Sequence, residues 1–107
     1  MILFKPEHVE PILSGRKTQT RRLWPHGRRA REGAVHEFKI RLFGEPFARA
    51  RIRRVWQERL GEISEPDARA EGYESREAYL AVFDRINGVT GRDTQVWAVE
   101  FAVVGGA

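Results

Sequence analysis

The stretch Gly15–Arg22, with the sequence GRKTQTRR, concentrates side chains that can act on a ligand. It places four cations, two threonine hydroxyls and a glycine in eight positions. Cationic side chains bind phosphate groups, and an amine that has lost its proton can take one from a hydroxyl. Neither a solvated surface nor a structural turn requires this combination. The stretch is therefore the first candidate for a ligand site.

Charge is distributed unevenly along the 107 residues. Residues 1–59 hold 15 Lys/Arg against 6 Glu, a net of +9, whereas residues 60–107 hold 4 Arg against 9 Asp/Glu, a net of −5. Sixteen of the 19 cations are arginine, which binds phosphate in a bidentate manner and stacks on bases. This pattern predicts a basic face suited to a polyanion, although a GC-rich genome or a hot habitat also favours arginine.

Hydrophobic periodicity predicts the elements that must hold this stretch in place. Helices are expected to begin near Pro6, at Ser64 and at Ser75, where serine suits an N-cap. Gly15 suits the C-cap of the first helix, which Pro11 should kink or restart. Strands and extended segments are predicted at 1–4, 17–24, 34–43, 47–56 and 95–104. Together these elements predict an α+β fold with a small mixed, mainly antiparallel sheet, curved or partly closed into a barrel.

Three of the predicted strands have a distinctive pattern of apolar and charged residues. In the strand 47–56, Arg49, Arg51 and Arg53 alternate with small apolar residues, which predicts one buried face and one cationic face. The cationic face is either a nucleic-acid contact or simply a solvated surface. The strand 95–104 is apolar on both faces apart from Glu100, so it is placed in the interior of the sheet, with Trp97 in the core. In the strand 34–43, Phe38, Ile40 and Leu42 are expected to face one way, and Lys39 and Arg41 the other.

Several classes of protein are disfavoured by composition. The chain has no cysteine, and its three histidines are too scattered for a familiar metal-ligand spacing, so neither a metal nor another cofactor is expected. No segment resembles a signal peptide or a membrane-spanning helix. The sequence therefore predicts a cytoplasmic protein with a single domain over residues 1–107 and no membrane partner. It does not indicate an oligomeric state.

The spacing Gly15-x-Lys17-x-x-x-x-Arg22 resembles the signature of the ASCH domains, a branch of the PUA-like superfamily. A threonine three residues after the lysine, the preceding ILSG, the triplet Glu71-Gly72-Tyr73 and the late strand VWAVEF are also similar to that family. The resemblance covers essentially the whole chain. It implies a PUA-like fold, a small β-barrel with flanking helices and a cleft under the signature. It also implies binding of RNA or of a modified nucleoside.

One small bacterial branch of the family hydrolyses the acetyl amide of N(4)-acetylcytidine with a lysine, a threonine and a glutamate. Similarity to that branch implies that Lys17, Thr20 and Glu71 are catalytic. The chain departs from the branch in its arginine-rich segment 28–31 and in the arginines of the strand 47–56. These departures suggest a ligand larger and more anionic than a free nucleoside.

The hydrolytic interpretation makes demands on geometry and on pKa. Lys17 can act as a base only when neutral, and nearby cations and burial lower the pKa of a lysine, whereas pairing with Glu71 would oppose that lowering. Residues 17 and 20 point to opposite faces of a regular strand, so their cooperation requires a turn or a bulge between them. If the hydrolytic interpretation fails, Lys17 binds phosphate and Glu71 pairs with an arginine.

Two functions therefore stay open from the sequence. The first is a module that binds single-stranded RNA or a modified nucleoside in a basic cleft, with arginines on phosphates and an aromatic side chain on a base. The second is an amidohydrolase acting on N(4)-acylated cytidines through the three catalytic candidates. The expected ligand-binding residues are Arg16, Arg21, Arg22, Trp24, Tyr73, Arg49, Arg51 and Arg53.

Overall fold

The computed structural model describes residues 1–106, so Ala107, the last residue of the predicted domain, lies outside the described residues. These described residues form five strands and three α-helices, with 3₁₀ turns at Pro6–His8 and Leu60–Glu62. The strands are β1 (Ile2–Leu3), β2 (Gln19–Arg22), β3 (Val35–Lys39), β4 (Ala48–Arg59) and β5 (Gln95–Gly106). The helices are α1 (Val9–Leu13), α2 (Glu65–Ala70) and α3 (Arg76–Asn87).

The helix boundaries follow from local chemistry. Ser64 and Ser75 are the N-caps of α2 and α3, and each hydroxyl accepts a hydrogen bond of 3.1 Å from the backbone N–H three residues later. Gly72, with φ of +101°, ends the α2 segment in a conformation that favours glycine. The 3₁₀ turn at Pro6–His8 passes directly into α1, so the chain restarts its helix ahead of Pro11, as the sequence predicts.

The five strands form one curled sheet, a half-barrel, in the order β1-β3-β4-β5-β2. Only the β1–β3 pair is parallel, which confirms the predicted mixed, mainly antiparallel arrangement. Strand β5 lies between β4 and β2, in the interior as predicted. Strands β1 and β2 are the two free edges of the sheet, and they do not pair with each other.

Strand β4 keeps the predicted alternation. Ala48, Ala50 and Ile52 are buried in the core, and the arginine that follows each of them is exposed. The register then shifts, because Ile52 pairs with Phe101 and Arg54 with Glu100, which leaves Arg53 in a bulge.

The sheet separates two apolar clusters. One lies inside the curl around Phe4, Phe38 and Phe101, and the other lies between the sheet and the α2–α3 pair around Leu60, Val96 and other apolar residues. Within the described residues, no helix has the length and apolar character needed to cross a bilayer.

Two predictions about these clusters are wrong. Strand β3 ends at Lys39, so Ile40 and Leu42 are exposed and do not continue the buried face of Phe38. Trp97 is only half-buried and does not lie in the core. The Arg28 guanidinium lies 6.0 Å from the centroid of its ring.

Candidate active site

The signature segment begins in the loop that joins α1 to β2, and its second half, Gln19–Arg22, is β2 itself. Gly15 has φ of +83°, and the loop is anchored by two backbone hydrogen bonds, from Lys17 N–H to the Pro11 carbonyl (2.9 Å) and from Thr18 N–H to the Ala70 carbonyl (2.7 Å). Lys17 therefore lies before β2 begins. Because residues 17 and 18 are in the loop, strand alternation does not force Lys17 and Thr20 onto opposite faces. The geometric requirement of the hydrolytic interpretation, a turn between the two residues, is compatible with this loop.

A buried ion pair joins this loop to α2. Lys17 Nζ lies 2.9 Å from Glu71 Oε1 and donates a second hydrogen bond of 3.0 Å to the Glu71 carbonyl. The two side chains are only 2% and 3% exposed. Burial lowers the pKa of Lys17 below its ordinary value, and the Glu71 carboxylate opposes but does not cancel this effect. Lys17 therefore loses its proton more readily than an exposed lysine does.

Arg21 holds Glu71 from the other side. Its guanidinium, with no exposed surface, bonds to Glu71 Oε2 (2.9 Å), Glu58 Oε1 (2.5 Å), Asp67 Oδ2 (3.2 Å) and Gln19 Oε1 (2.9 Å). Burial alone would lower the pKa of Arg21, but the Glu71 and Glu58 carboxylates outweigh it and raise the pKa. All of its directed contacts are with the protein, so Arg21 positions Glu71.

Thr20 and Arg22 project from the same face of β2, two residues apart. Arg22 Nε donates a hydrogen bond of 3.0 Å to Thr20 Oγ1, and the guanidinium carbon lies 4.7 Å from the centroid of the Phe4 ring. Burial lowers the pKa of Arg22 to about 10, a shift that the Glu71 carboxylate partly opposes. Among the described residues, no carboxylate lies within ion-pair distance of this guanidinium. Arg22 is thus a cation beside a hydroxyl, with donors left for a ligand.

A cavity of about 350 Å³ lies between the two free sheet edges, with α3 along one side. Its polar side contains all three catalytic candidates, which are buried, together with Arg22 and Tyr73. Its apolar side comes from β1, the end of β3 and α3, through Leu3, Phe4, Ile40, Val82, Phe83 and Ile86. The open half of the barrel therefore brings residues from distant parts of the sequence to one hollow.

Two further side chains belong to this cavity and were not predicted as site residues. His8 Nε2 lies 3.3 Å from Tyr73 Oη, and burial, with a smaller effect of Lys17, lowers the pKa of His8 to about 4. The buried Tyr79 hydroxyl has no hydrogen-bond partner among the described residues, and burial raises its pKa, so it is a neutral phenol. Tyr79 belongs to an apolar helix stripe, so its spacing indicates only core packing.

The remaining predicted ligand-binding residues lie away from the cavity. Arg16 is exposed and pairs with Glu10 at 3.0 Å, and Trp24 is half-buried against the inner apolar cluster. Arg49, Arg51 and Arg53 are exposed on the outer face of β4. Within residues 1–106, no three His, Asp or Glu side chains converge in a way that could hold a metal ion.

No protein-family model matches the sequence, and no curated protein matches it. Solved structures are similar in fold. Protein EF3133 from Enterococcus faecalis, of family DUF984, has a TM-score of 0.73 and 21% identity over 94% of this chain and 72% of its own. An ASCH domain from Lactobacillus crispatus has a TM-score of 0.68 and 21% identity over 91% and 70%. A variant of ZmASCH from Zymomonas mobilis has a TM-score of 0.63 and 20% identity over 94% and 66%.

Proposed function

Starting from the ASCH-type, PUA-like fold that this chain shares with those structures, we propose that it is an amidohydrolase that removes the acyl group from N(4)-acylated cytidines. The observation that carries the proposal is the convergence of Lys17, Thr20 and Glu71, which are 2%, 4% and 3% exposed, on one cavity. Its volume of about 350 Å³ lies at the lower end of small-molecule sites, which suits one nucleoside better than a strand.

The residues suggest a sequence of steps. The Thr20 hydroxyl attacks the acyl carbon and gives its proton to the neutral Lys17 amine, while the Arg22 guanidinium donates hydrogen bonds to the oxygen on which negative charge develops. The carbon–nitrogen bond then breaks, and the cytosine amine takes the proton from Lys17. Water hydrolyses the resulting Thr20 ester, so the net reaction is amide plus water to cytidine plus carboxylic acid.

Glu71 and Arg21 support this sequence by fixing the position of Lys17. The Glu71 carboxylate has one oxygen on Lys17 and the other on Arg21, and both contacts are 2.9 Å long. The carboxylate therefore stabilises the lysine when it carries the proton, between the attack and the departure of the amine. This role reconciles a lysine that must lose its proton with a carboxylate that pairs with it.

Incubation with N(4)-acetylcytidine, with cytidine release followed by chromatography, tests the proposal. We expect turnover by the wild type and a loss of about 100-fold or more in Lys17→Met, with little change in the control Lys39→Met. Because only neutral Lys17 is a base, kcat/KM should rise with pH and level off below the ordinary lysine pKa of about 10.4. Wild-type protein without turnover, or full activity in Lys17→Met, would overturn the proposal.

RNA recognition is the second candidate function. It is supported by the exposed arginines outside the cavity and by the excess of 15 Lys/Arg over 6 Glu in residues 1–59. Affinity for RNA should fall steeply with salt, because each neutralised phosphate releases counterions. Weak binding that is unchanged between low and moderate salt would count against this function.

A further inference from the structure

The outer face of β4 carries cations that the protein itself does not neutralise. Arg49, Arg51 and Arg53 are exposed, and none has a carboxylate within 4 Å among the described residues. Exposed, unpaired guanidinium groups are free to bind anionic groups in a bidentate manner. Strand geometry repeats the direction of alternate side chains about every 6.8 Å, so Arg49 and Arg51 lie in a row along the sheet, and Arg53 follows them in the bulge.

One of these arginines also contacts the segment that precedes β3. Arg51 Nη1 donates a hydrogen bond of 3.0 Å to the Gly33 carbonyl, and Val35 pairs with Arg51 in the sheet. We call Arg49, Arg51 and Arg53 together the arginine surface.

Nearby carboxylates are engaged elsewhere. Glu32 pairs with Arg28 and accepts a hydrogen bond of 3.0 Å from Val55 N–H, and Glu100 lies 3.3 Å from Arg54. These contacts leave the arginine surface without local compensation.

Glu37 is the carboxylate nearest to the row in the sheet register, opposite Arg49. The Glu37 carboxylate, however, pairs with Lys39 at 3.8 Å. The arginine surface is therefore net positive.

An aromatic side chain continues the row on the same face of β4. The residues opposite Arg51, Arg54 and Trp56 are alternate positions of β5, so these three side chains share a face. Arg54 lies 4.2 Å from the centroid of the half-buried Trp56 ring. A row of cations that ends in an arginine–aromatic stack is the arrangement that binds unpaired bases together with their phosphates. A duplex or a bilayer surface offers no unpaired base to such a stack.

We propose that the arginine surface binds the phosphate backbone of single-stranded RNA, with a base stacking at Trp56. This inference rests on the second proposed function and assigns it to a surface outside the cavity. It is independent of hydrolysis, since none of these residues lines the cavity. The cavity then takes single nucleosides, and the strand binds on the outer face of the sheet.

Fluorescence anisotropy with a labelled single-stranded RNA of about 12 nucleotides tests the assignment. If about three phosphates are neutralised, the slope of log K against log salt should be about −2, so raising salt from about 50 to 200 mM weakens binding roughly 20-fold. The triple variant Arg49→Gln/Arg51→Gln/Arg53→Gln should lower the magnitude of the slope by about 2. Trp56→Ala should weaken binding roughly 5- to 100-fold at unchanged slope, whereas Trp56→Phe should retain most of the affinity.

A matched control separates position from net charge. Arg69→Gln/Arg85→Gln/Arg92→Gln removes the same charge from exposed arginines that pair with carboxylates, and it should bind RNA like the wild type. Equal losses in the two triple variants would overturn the assignment while leaving RNA recognition standing. No RNA binding by the wild type would overturn both. Equal affinity for duplex RNA, or for vesicles of anionic phospholipid, would overturn the single-strand assignment.

Discussion

Replacing Glu71 by glutamine tests whether the buried ion pair holds the site together. The carboxylate accepts hydrogen bonds of 2.9 Å from both Lys17 and Arg21, and both cations are buried. A glutamine of the same shape has one oxygen for these two donors, and its NH₂ group must face the other cation. The substitution therefore leaves the buried Lys17 cation without a carboxylate, whereas Arg21 keeps the carboxylates of Glu58 and Asp67.

The structure gives this effect a magnitude and a control. Removing one partner of a buried ion pair costs about 3–5 kcal/mol, whereas an exposed pair contributes about 0–1 kcal/mol. The Arg16–Glu10 pair has a nearly equal length, 3.0 Å, but its side chains are 59% and 70% exposed. Glu71→Gln should thus lower the free energy of unfolding by about 3–5 kcal/mol, and Glu10→Gln by less than about 1 kcal/mol.

Urea denaturation at neutral pH, followed by circular dichroism, measures both variants. A loss below about 1 kcal/mol for Glu71→Gln would refute the reasoning, because the site would then tolerate an unpaired charge as a solvated surface does. If the variant does not fold in the absence of urea, the double variant Lys17→Met/Glu71→Gln should recover part of the stability, since it removes the cation that has lost its carboxylate. Absence of any such recovery would also contradict the account.

Two further predictions concern side chains next to this pair. Burial lowers the pKa of His8 to about 4. Between about pH 6.5 and 4 the unfolded chain therefore binds more protons than the folded chain. The free energy of unfolding should fall by up to about 3 kcal/mol as the pH falls through this range. Urea denaturation at pH 7 and pH 4 should show this loss reduced in His8→Asn, and an unchanged loss would contradict it. Gly72→Ala should cost about 1–2 kcal/mol because φ is +101°, and Gly91→Ala, which has no such φ, serves as its control; equal effects in the two would argue against backbone strain at Gly72.

Much of the fold could be predicted from local patterns. The serine caps, the alternation of β4 and the apolar pattern of β5 each act over a few residues, and each is confirmed. The end of β3 could not be predicted in this way. Ile40 and Leu42 continue its alternation in the sequence, but the chain turns after Lys39 and exposes both. Where a strand ends depends on the partner available in the sheet, which periodicity does not contain.

The site was predictable only in part, because it depends on long-range contacts. Family resemblance pointed to Lys17, Thr20 and Glu71, and the structure brings them to one cavity. The four neighbours that hold Arg21 could not be read from the sequence, because two of them, Glu58 and Asp67, come from β4 and α2. In the sequence, Arg21 belongs to a basic run and is predicted to bind a ligand. In the structure, tertiary packing surrounds it with carboxylates of the protein itself.

The most direct test of the central claim is the rate of cytidine release from N(4)-acetylcytidine by the wild type and by Thr20→Val, which replaces the hydroxyl with a methyl group of similar size. The account predicts turnover by the wild type and a rate at least about 100-fold lower in the variant, with both proteins folded. Equal rates in the two proteins, or no release by the folded wild type, would contradict it.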